Sequence, residues 1–440
     1  MENNSRRNFL GKLIAIPAGI WLSDFTVKSA SAGNQVKITA IKAMQLDFQF
    51  DGCLIKIETD SGLVGYGETG TNSKIARDHI AHLDWALQRA RGGSERLIGG
   101  DPLSIARHYY RMTEMHYPLP APMGTISGID IALWDLAGKI LEQPVYKLLG
   151  GPFRDGCPMY SHGSALTNMH DPASCKKWAE HINQQPEGFK SFKIGVGFPL
   201  QETIHTDGFK SYNTGPGQVE GPFYPTVSSA EIKLLKEGFA NIRDAVGDSI
   251  EIGLHCHGEF DTPSSIAMAN AVEALNVVFI EDPLNVHYSE AWAALKRGTG
   301  VPVMTGEKLE NIHQFRQFLD SKAIDFIHPD ISYAGGFTGC MKIADYAAIT
   351  RTPVALHNVG TVVRTYASGH LSMAIQNFYR SESSVGETSG SVLDQMAKEG
   401  PPVIRNSILQ ISDRPGLGIT LDDTFLKGHL PKDEPWWGDL

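Results

Sequence analysis

Cysteine is scarce in this 440-residue chain, and the five present (Cys53, Cys157, Cys175, Cys256 and Cys340) are scattered and odd in number. None forms a C-x-x-C pair, which argues against a zinc ribbon or a disulfide framework. Cys256 lies between two histidines, but on a strand its side chain points away from both, so it reads as packing. Positive charge is also in short supply. Thirty-nine Lys and Arg stand against 49 Asp and Glu, and the formal net charge of −10 argues against a nucleic-acid partner. No internal stretch has the length and uniform apolarity of a membrane span. What is left is an ordinary globular composition, 42% apolar and 20% charged, in a chain long enough for two domains.

The N-terminus departs from that composition. Ser5-Arg6-Arg7-Asn8-Phe9-Leu10 precedes a modest apolar run, Leu13 to Leu22, and then Ala30-Ser31-Ala32. This is the order of a charged region, a short hydrophobic region and a small-residue cleavage site. The paired arginines resemble a bacterial twin-arginine export signal. That resemblance implies that residues 1–32 are removed, that the twin-arginine export machinery carries the folded chain, and that the mature protein is periplasmic.

Residues 33–152 begin with strands. VKITAIKAMQL and CLIKIETDSGLVGYGE alternate in the β manner around a turn at Asp60-Ser61-Gly62. SKIARDHIAHLDWALQRA and SGIDIALWDLAGKIL then follow a helical period, and Gly150-Gly151-Pro152 breaks the pattern. From 153 to 410, eight apolar runs alternate with helical segments: PMYSHG, SFKIGVG, IEIGLHCHG, VVFIEDP, VPVMTGE, DFIHPDI, PVALHN and NFYRSE. Eight strands with intervening helices predict an α/β fold, a (β/α)8 TIM-type barrel. A Gly/Pro/Tyr-rich insertion at 199–227 follows the second strand, where active-site loops sit. Residues 411–440 have no barrel role and are expected to return to the N-terminal sheet.

Polar residues mark the ends of these runs: His257, Glu281, Glu307, Asp330, His357 and Glu382, about 25 residues apart. In such a barrel the strand C-termini converge on one face, and acids, bases and ligand-type residues at nearly every one of them are hard to explain as packing. The pattern points to an enzyme.

SGIDIALWDLAGK, PVYKLLGG, FIEDP, TGE and PGLGI, in that order, resemble the mandelate racemase branch of the enolase superfamily, and the resemblance runs from about residue 34 to 430. It implies an α+β capping domain over a modified barrel, and an acid substrate whose carboxylate binds one divalent metal ion, usually Mg²⁺. Removal of the adjacent proton would give a metal-stabilised enediolate. By residue, it implies metal ligands at Glu281 and Glu307 and a His357–Asp330 dyad as base. It also implies a glutamate, Glu382, that hydrogen-bonds the substrate carboxylate. Family members that dehydrate aldonic acids, such as galactonate dehydratases, carry Asp-x-His on the third strand, and His257 matches their general acid. Homo-oligomers are common in the family.

The chain departs from the family pattern twice. His255 stands where the first metal-ligand aspartate is expected, so the predicted metal set is His255, Glu281 and Glu307. Such a set is softer than an all-oxygen one and favours Mn²⁺, Fe²⁺ or Zn²⁺ relative to Mg²⁺. On the second strand, Lys193-Ile194-Gly195 puts glycine at the inner base position, which weakens the case for racemisation. Lys193 is expected either to project at the mouth and neutralise the substrate carboxylate, or to snorkel as a structural residue. The expectation is therefore dehydration of an acid sugar to a 2-keto-3-deoxy acid. The alternatives are a cycloisomerase or epimerase acting on an anhydro-sugar acid or lactone, and a metal-free acid-sugar binding protein.

Overall fold

The computed structural model describes residues 36–47, 52–89, 96–114, 122–195, 226–258, 260–383 and 395–440. The export-signal reading and nearly all of the 199–227 insertion lie outside these residues. No described helix is long and apolar enough to cross a membrane.

Strands β1 (Ile38–Gln45), β2 (Cys53–Thr59) and β3 (Val64–Thr69) form an antiparallel sheet in the order β1-β2-β3. Helices α1 (Ser73–Arg89), α2 (Ile105–Glu114) and α3 (Met123–Leu141) follow. Most of α3 is buried, as its nearly continuous apolar and small residues require. It is wedged between β3 and the helix of the barrel's sixth repeat, α10 (Gly336–Ile349). Two aspartates on α3 secure it. Asp130 accepts from Thr338 N at 2.9 Å and Thr338 Oγ1 at 2.6 Å, tying the cap to the barrel. Asp135 accepts from Tyr66 N and Leu417 N, both at 2.8 Å, tying the cap sheet to the PGLGI segment. The acidic residues of SGIDIALWDLAGK are thus buried acceptors for backbone and hydroxyl donors and, at Asp135, for the Lys139 ammonium at 2.6 Å, and not part of the reacting site.

After the short α4 (Val145–Leu148), eight parallel strands alternate with helices: β4 (Cys157–His162), β5 (Ser191–Gly195), β6 (Glu251–His255), β7 (Val277–Glu281), β8 (Val303–Thr305), β9 (Phe326–Ile327), β10 (Val354–Leu356) and β11 (Phe378–Glu382). They hydrogen-bond in sequence, and β11 returns to β4 through Ser381↔Met159 and Glu382↔Tyr160, which closes the barrel. The strands are short, apolar and covered on both faces, as parallel strands under helices must be. Helix starts are well specified by sequence. Ser228 and Glu231 form a reciprocal capping box at α6 (Ser229–Val246), and Asp261 caps α7 (Thr262–Glu273).

The C-terminal tail folds back onto the cap. Trp437 is fully buried and stacks on Tyr66 at 6.1 Å between ring centroids. Glu434 accepts from Arg77 Nη1 at 2.7 Å and from Gln45 N at 2.8 Å.

Candidate active site

The polar ladder converges because each rung sits at, or within three residues of, a barrel strand's C-terminal end. Asp330 and His357 leave adjacent strands and pair in parallel register, and His357 N donates to Pro329 O at 3.2 Å. That register brings His357 Nδ1 to 2.6 Å from Asp330 Oδ2. The other carboxylate oxygen accepts from Ser332 N at 2.7 Å and Ser332 Oγ at 2.6 Å. Burial raises the Asp330 pKa, but Arg364 and His357 outweigh it and hold the carboxyl down at about 2. The Nε2 of His357 faces the ladder, 3.5 Å from Glu307 Oε2 and 3.8 Å from Glu382 Oε2. Burial disfavours the charged ring, yet Glu382, Glu307 and Asp330 push its pKa up to about 9.

Glu281 and Glu307 face each other with a third residue, His328, and one donor atom from each lies within 4.8 Å of the others. The approach of Glu307 to His328 depends on Gly306, whose φ is +144° and where a Cβ would fall 2.8 Å from His328 N. Glu281 Oε2 and His328 Nδ1 are buried and have no hydrogen-bond partner. Burial opposes ionisation of Glu281, but Lys193, His328 and His255 hold its pKa well below the ordinary carboxylate value. Orphaned buried donor atoms on Glu281 and His328, with the Glu307 carboxylate beside them, fit a divalent cation. His255 is not one of the three. Its Nδ1 is 3.3 Å from Glu281 Oε1 and its Nε2 is 2.9 Å from His257 Nε2, so both ring nitrogens already have neighbours. Burial and Lys193 push the His255 pKa down to about 4, keeping the ring neutral near pH 7.

Lys193 neither projects at the mouth nor snorkels. It is 3% exposed, with Nζ 3.0 Å from Glu281 Oε1 and 2.9 Å from Glu382 Oε1. Strand β5 aims it into the barrel, where two carboxylates supply what solvent would otherwise have given. Glu382 is fully buried too. Its Oε1 also contacts His162 Nε2, and its Oε2 lies 3.4 Å from Tyr160 Oη. His162, Tyr160 and His328 were absent from the sequence-derived set. His328 carried a usable signal: it lies two residues before Asp330 in FIHPDIS, hence on the same side of an extended segment. Tyr160 was hidden because its role is to meet His328 Nε2 at 2.9 Å across the barrel.

Residues 35–150 match the mandelate racemase / muconate lactonizing enzyme N-terminal domain, and residues 177–425 match the enolase C-terminal domain-like model. The chain belongs to the mandelate racemase / muconate lactonizing enzyme branch of the enolase superfamily. It is 27% identical over 409 residues to the D-xylonate dehydratase of Haloferax volcanii, covering 90% of each chain. It is 28% identical to the D-galactonate dehydratase of Pectobacterium atrosepticum, covering 91% of this chain and 96% of that one. The crystal structure of a mandelate racemase/muconate lactonizing enzyme-like protein from Rubrobacter xylanophilus superposes with a TM-score of 0.77 at 26% identity. That match covers 91% of this chain and 99% of the other. Members of the superfamily use a divalent metal ion, and the Glu281, Glu307 and His328 group is where this member offers donors for one.

Proposed function

We propose that this chain is a hydro-lyase that dehydrates an acid sugar of the aldonate type to a 2-keto-3-deoxy acid. The observation that carries the reading is the buried His357–Asp330 pair at 2.6 Å, with the free imidazole nitrogen turned toward Glu307 and Glu382. The dehydratase relatives support the reaction class.

Asp330 accepts the Nδ1 proton of His357 and leaves Nε2 to take the proton from C2 of the substrate. The electron pair released from that C–H bond forms the C2–C3 double bond as the C3–O bond breaks. His257 gives the departing hydroxyl its proton, so water leaves, and the enol left behind tautomerises to the ketone. When bound, a divalent ion would grip the substrate carboxylate and offset Glu281 and Glu307, which relieves the attraction that keeps His357 protonated. Glu281, Glu307 and His328 would hold that ion, with His255 alongside. Nitrogen in the donor set favours Mn²⁺, Fe²⁺ or Zn²⁺ relative to the Mg²⁺ typical of the family. Lys193 keeps Glu382 and Glu281 ionised and in place; an ionised Glu382 would accept from a substrate hydroxyl, since it has no proton to donate to the substrate carboxylate.

The test is turnover of an acid-sugar panel, including D-xylonate and D-galactonate, by the metal-loaded protein in D₂O. Loss of water with a 2-keto product supports the assignment. A mass-neutral product carrying one deuterium makes the protein an isomerase or epimerase instead. His357→Asn abolishes turnover while fold and metal content persist; activity retained in that variant removes His357 as the base. We further infer from residues 5–32 that the protein is exported by the twin-arginine route. Cytoplasmic retention of the full chain in cells with an intact export pathway contradicts this.

A further inference from the structure

The dyad carboxylate has a second buried partner, and that partner leads into the capping domain. Arg364 lies in the first turn of α11 (Val362–Ala374) and directs Nη1 to Asp330 Oδ2 at 3.2 Å, the oxygen already shared with His357. Its Nη2 lies 3.0 Å from Oε1 of Glu68, near the end of cap strand β3. Glu68 also accepts from Thr361 N, Thr361 Oγ1 and Arg364 N at 2.5–3.2 Å, so its carboxylate closes the N-terminus of α11. Glu68 is 0% exposed and Arg364 2%. Room for the pair is made by Gly360, where a Cβ would come within 2.3 Å of both Arg364 Nε and Glu68 Oε1.

A buried ion pair is a poor choice for adhesion alone, because desolvation cancels much of its attraction. What it supplies is direction. The planar guanidinium fixes one oxygen of Asp330 while Ser332 fixes the other, so the carboxylate cannot turn away from His357.

We propose that Glu68 and Arg364 are positioning residues for the base: the capping sheet, seated on α11, orients Asp330 and through it the His357 imidazole. The cap is thereby part of the proton-abstracting apparatus as well as a cover. This inference rests on His357 being the base.

The experiment compares Arg364→Gln, Arg364→Lys, Glu68→Gln and Gly360→Ala in the full mature protein. It has two readouts. The first is kcat and KM on D-galactonate. The second is the low-field Nδ1–H resonance of ¹⁵N-histidine-labelled protein, assigned to the dyad by its loss in His357→Asn. Arg364→Gln, Glu68→Gln and Gly360→Ala are expected to lower kcat by about 10- to 100-fold with little change in KM, and to move the resonance. Arg364→Lys, which keeps the charge without the fork, regains part of the rate. Variants that melt earlier but keep both kcat and the resonance overturn the proposal, since that is the signature of a purely structural pair. Glu68→Gln and Gly360→Ala retain Arg364 and decide the matter if Arg364→Gln does not fold. If the wild-type protein fails to turn over D-galactonate, the substrate reading is what suffers, and the resonance still judges the positioning role.

Discussion

Lys193 and Glu281 form an ion pair across the barrel interior, Nζ 3.0 Å from Oε1, with side chains 1% and 0% exposed. The same ammonium reaches Glu382 at 2.9 Å, so one cation balances two buried anions from strands that are distant in sequence.

Lys193→Met is therefore expected to destabilise the chelator-treated protein by about 3–5 kcal/mol, because it leaves carboxylates buried without a counter-charge. Urea denaturation measures the loss. It should be smaller with a saturating divalent ion, which restores positive charge beside Glu281. An unchanged midpoint in chelator means that the ammonium is not what balances these carboxylates.

His328→Gln is expected to weaken divalent-ion binding by about tenfold or more, and to shift the preference toward Mg²⁺ as an amide oxygen replaces a ring nitrogen. His255→Asn should weaken binding less, since both His255 nitrogens already have neighbours. Mn²⁺ titration followed by electron paramagnetic resonance reports both variants without reference to turnover. A large loss in His255→Asn with none in His328→Gln restores His255 as the ligand.

His370 gives the protein an acid-sensitive element remote from chemistry. It is fully buried on α11, stacks on Tyr146 at 5.7 Å and accepts from Tyr146 N at 3.3 Å. Burial pushes its pKa down to about 4 from an ordinary 6.5. The unfolded chain thus binds the extra proton first, and stability falls as pH drops from about 6.5 toward 4. The contribution is on the order of 3 kcal/mol. His370→Asn should flatten that acid limb relative to wild type in urea melts at pH 7 and pH 4.5. Parallel pH curves for the two proteins rule the element out.

The barrel was legible because its information is local and repeated. Short apolar runs ending in Glu281, Glu307, His357 and Glu382, spaced by amphipathic helices, determine both the strand order and the face on which those side chains gather. The cap sheet was equally legible from alternation around Asp60-Ser61-Gly62. Asp130 and Asp135 were harder to place. They lie in a motif that helped to identify the family, yet their partners, Thr338 and Leu417, are hydrogen-bond donors more than 200 residues away.

By itself, then, the sequence determined that this is a (β/α)8 barrel with acid, base and ligand-type residues at its mouth, and its family resemblance implied the cap. Periodicity and strand-end position depend only on neighbours along the chain. Tertiary structure alone decided that His328 joins the two glutamates, that Lys193 is buried between Glu281 and Glu382, and that Glu68 reaches Asp330 through Arg364. Each of these depends on which side chains meet across a closed barrel or a domain boundary. Burial then makes every unpaired charge too costly to leave unmatched.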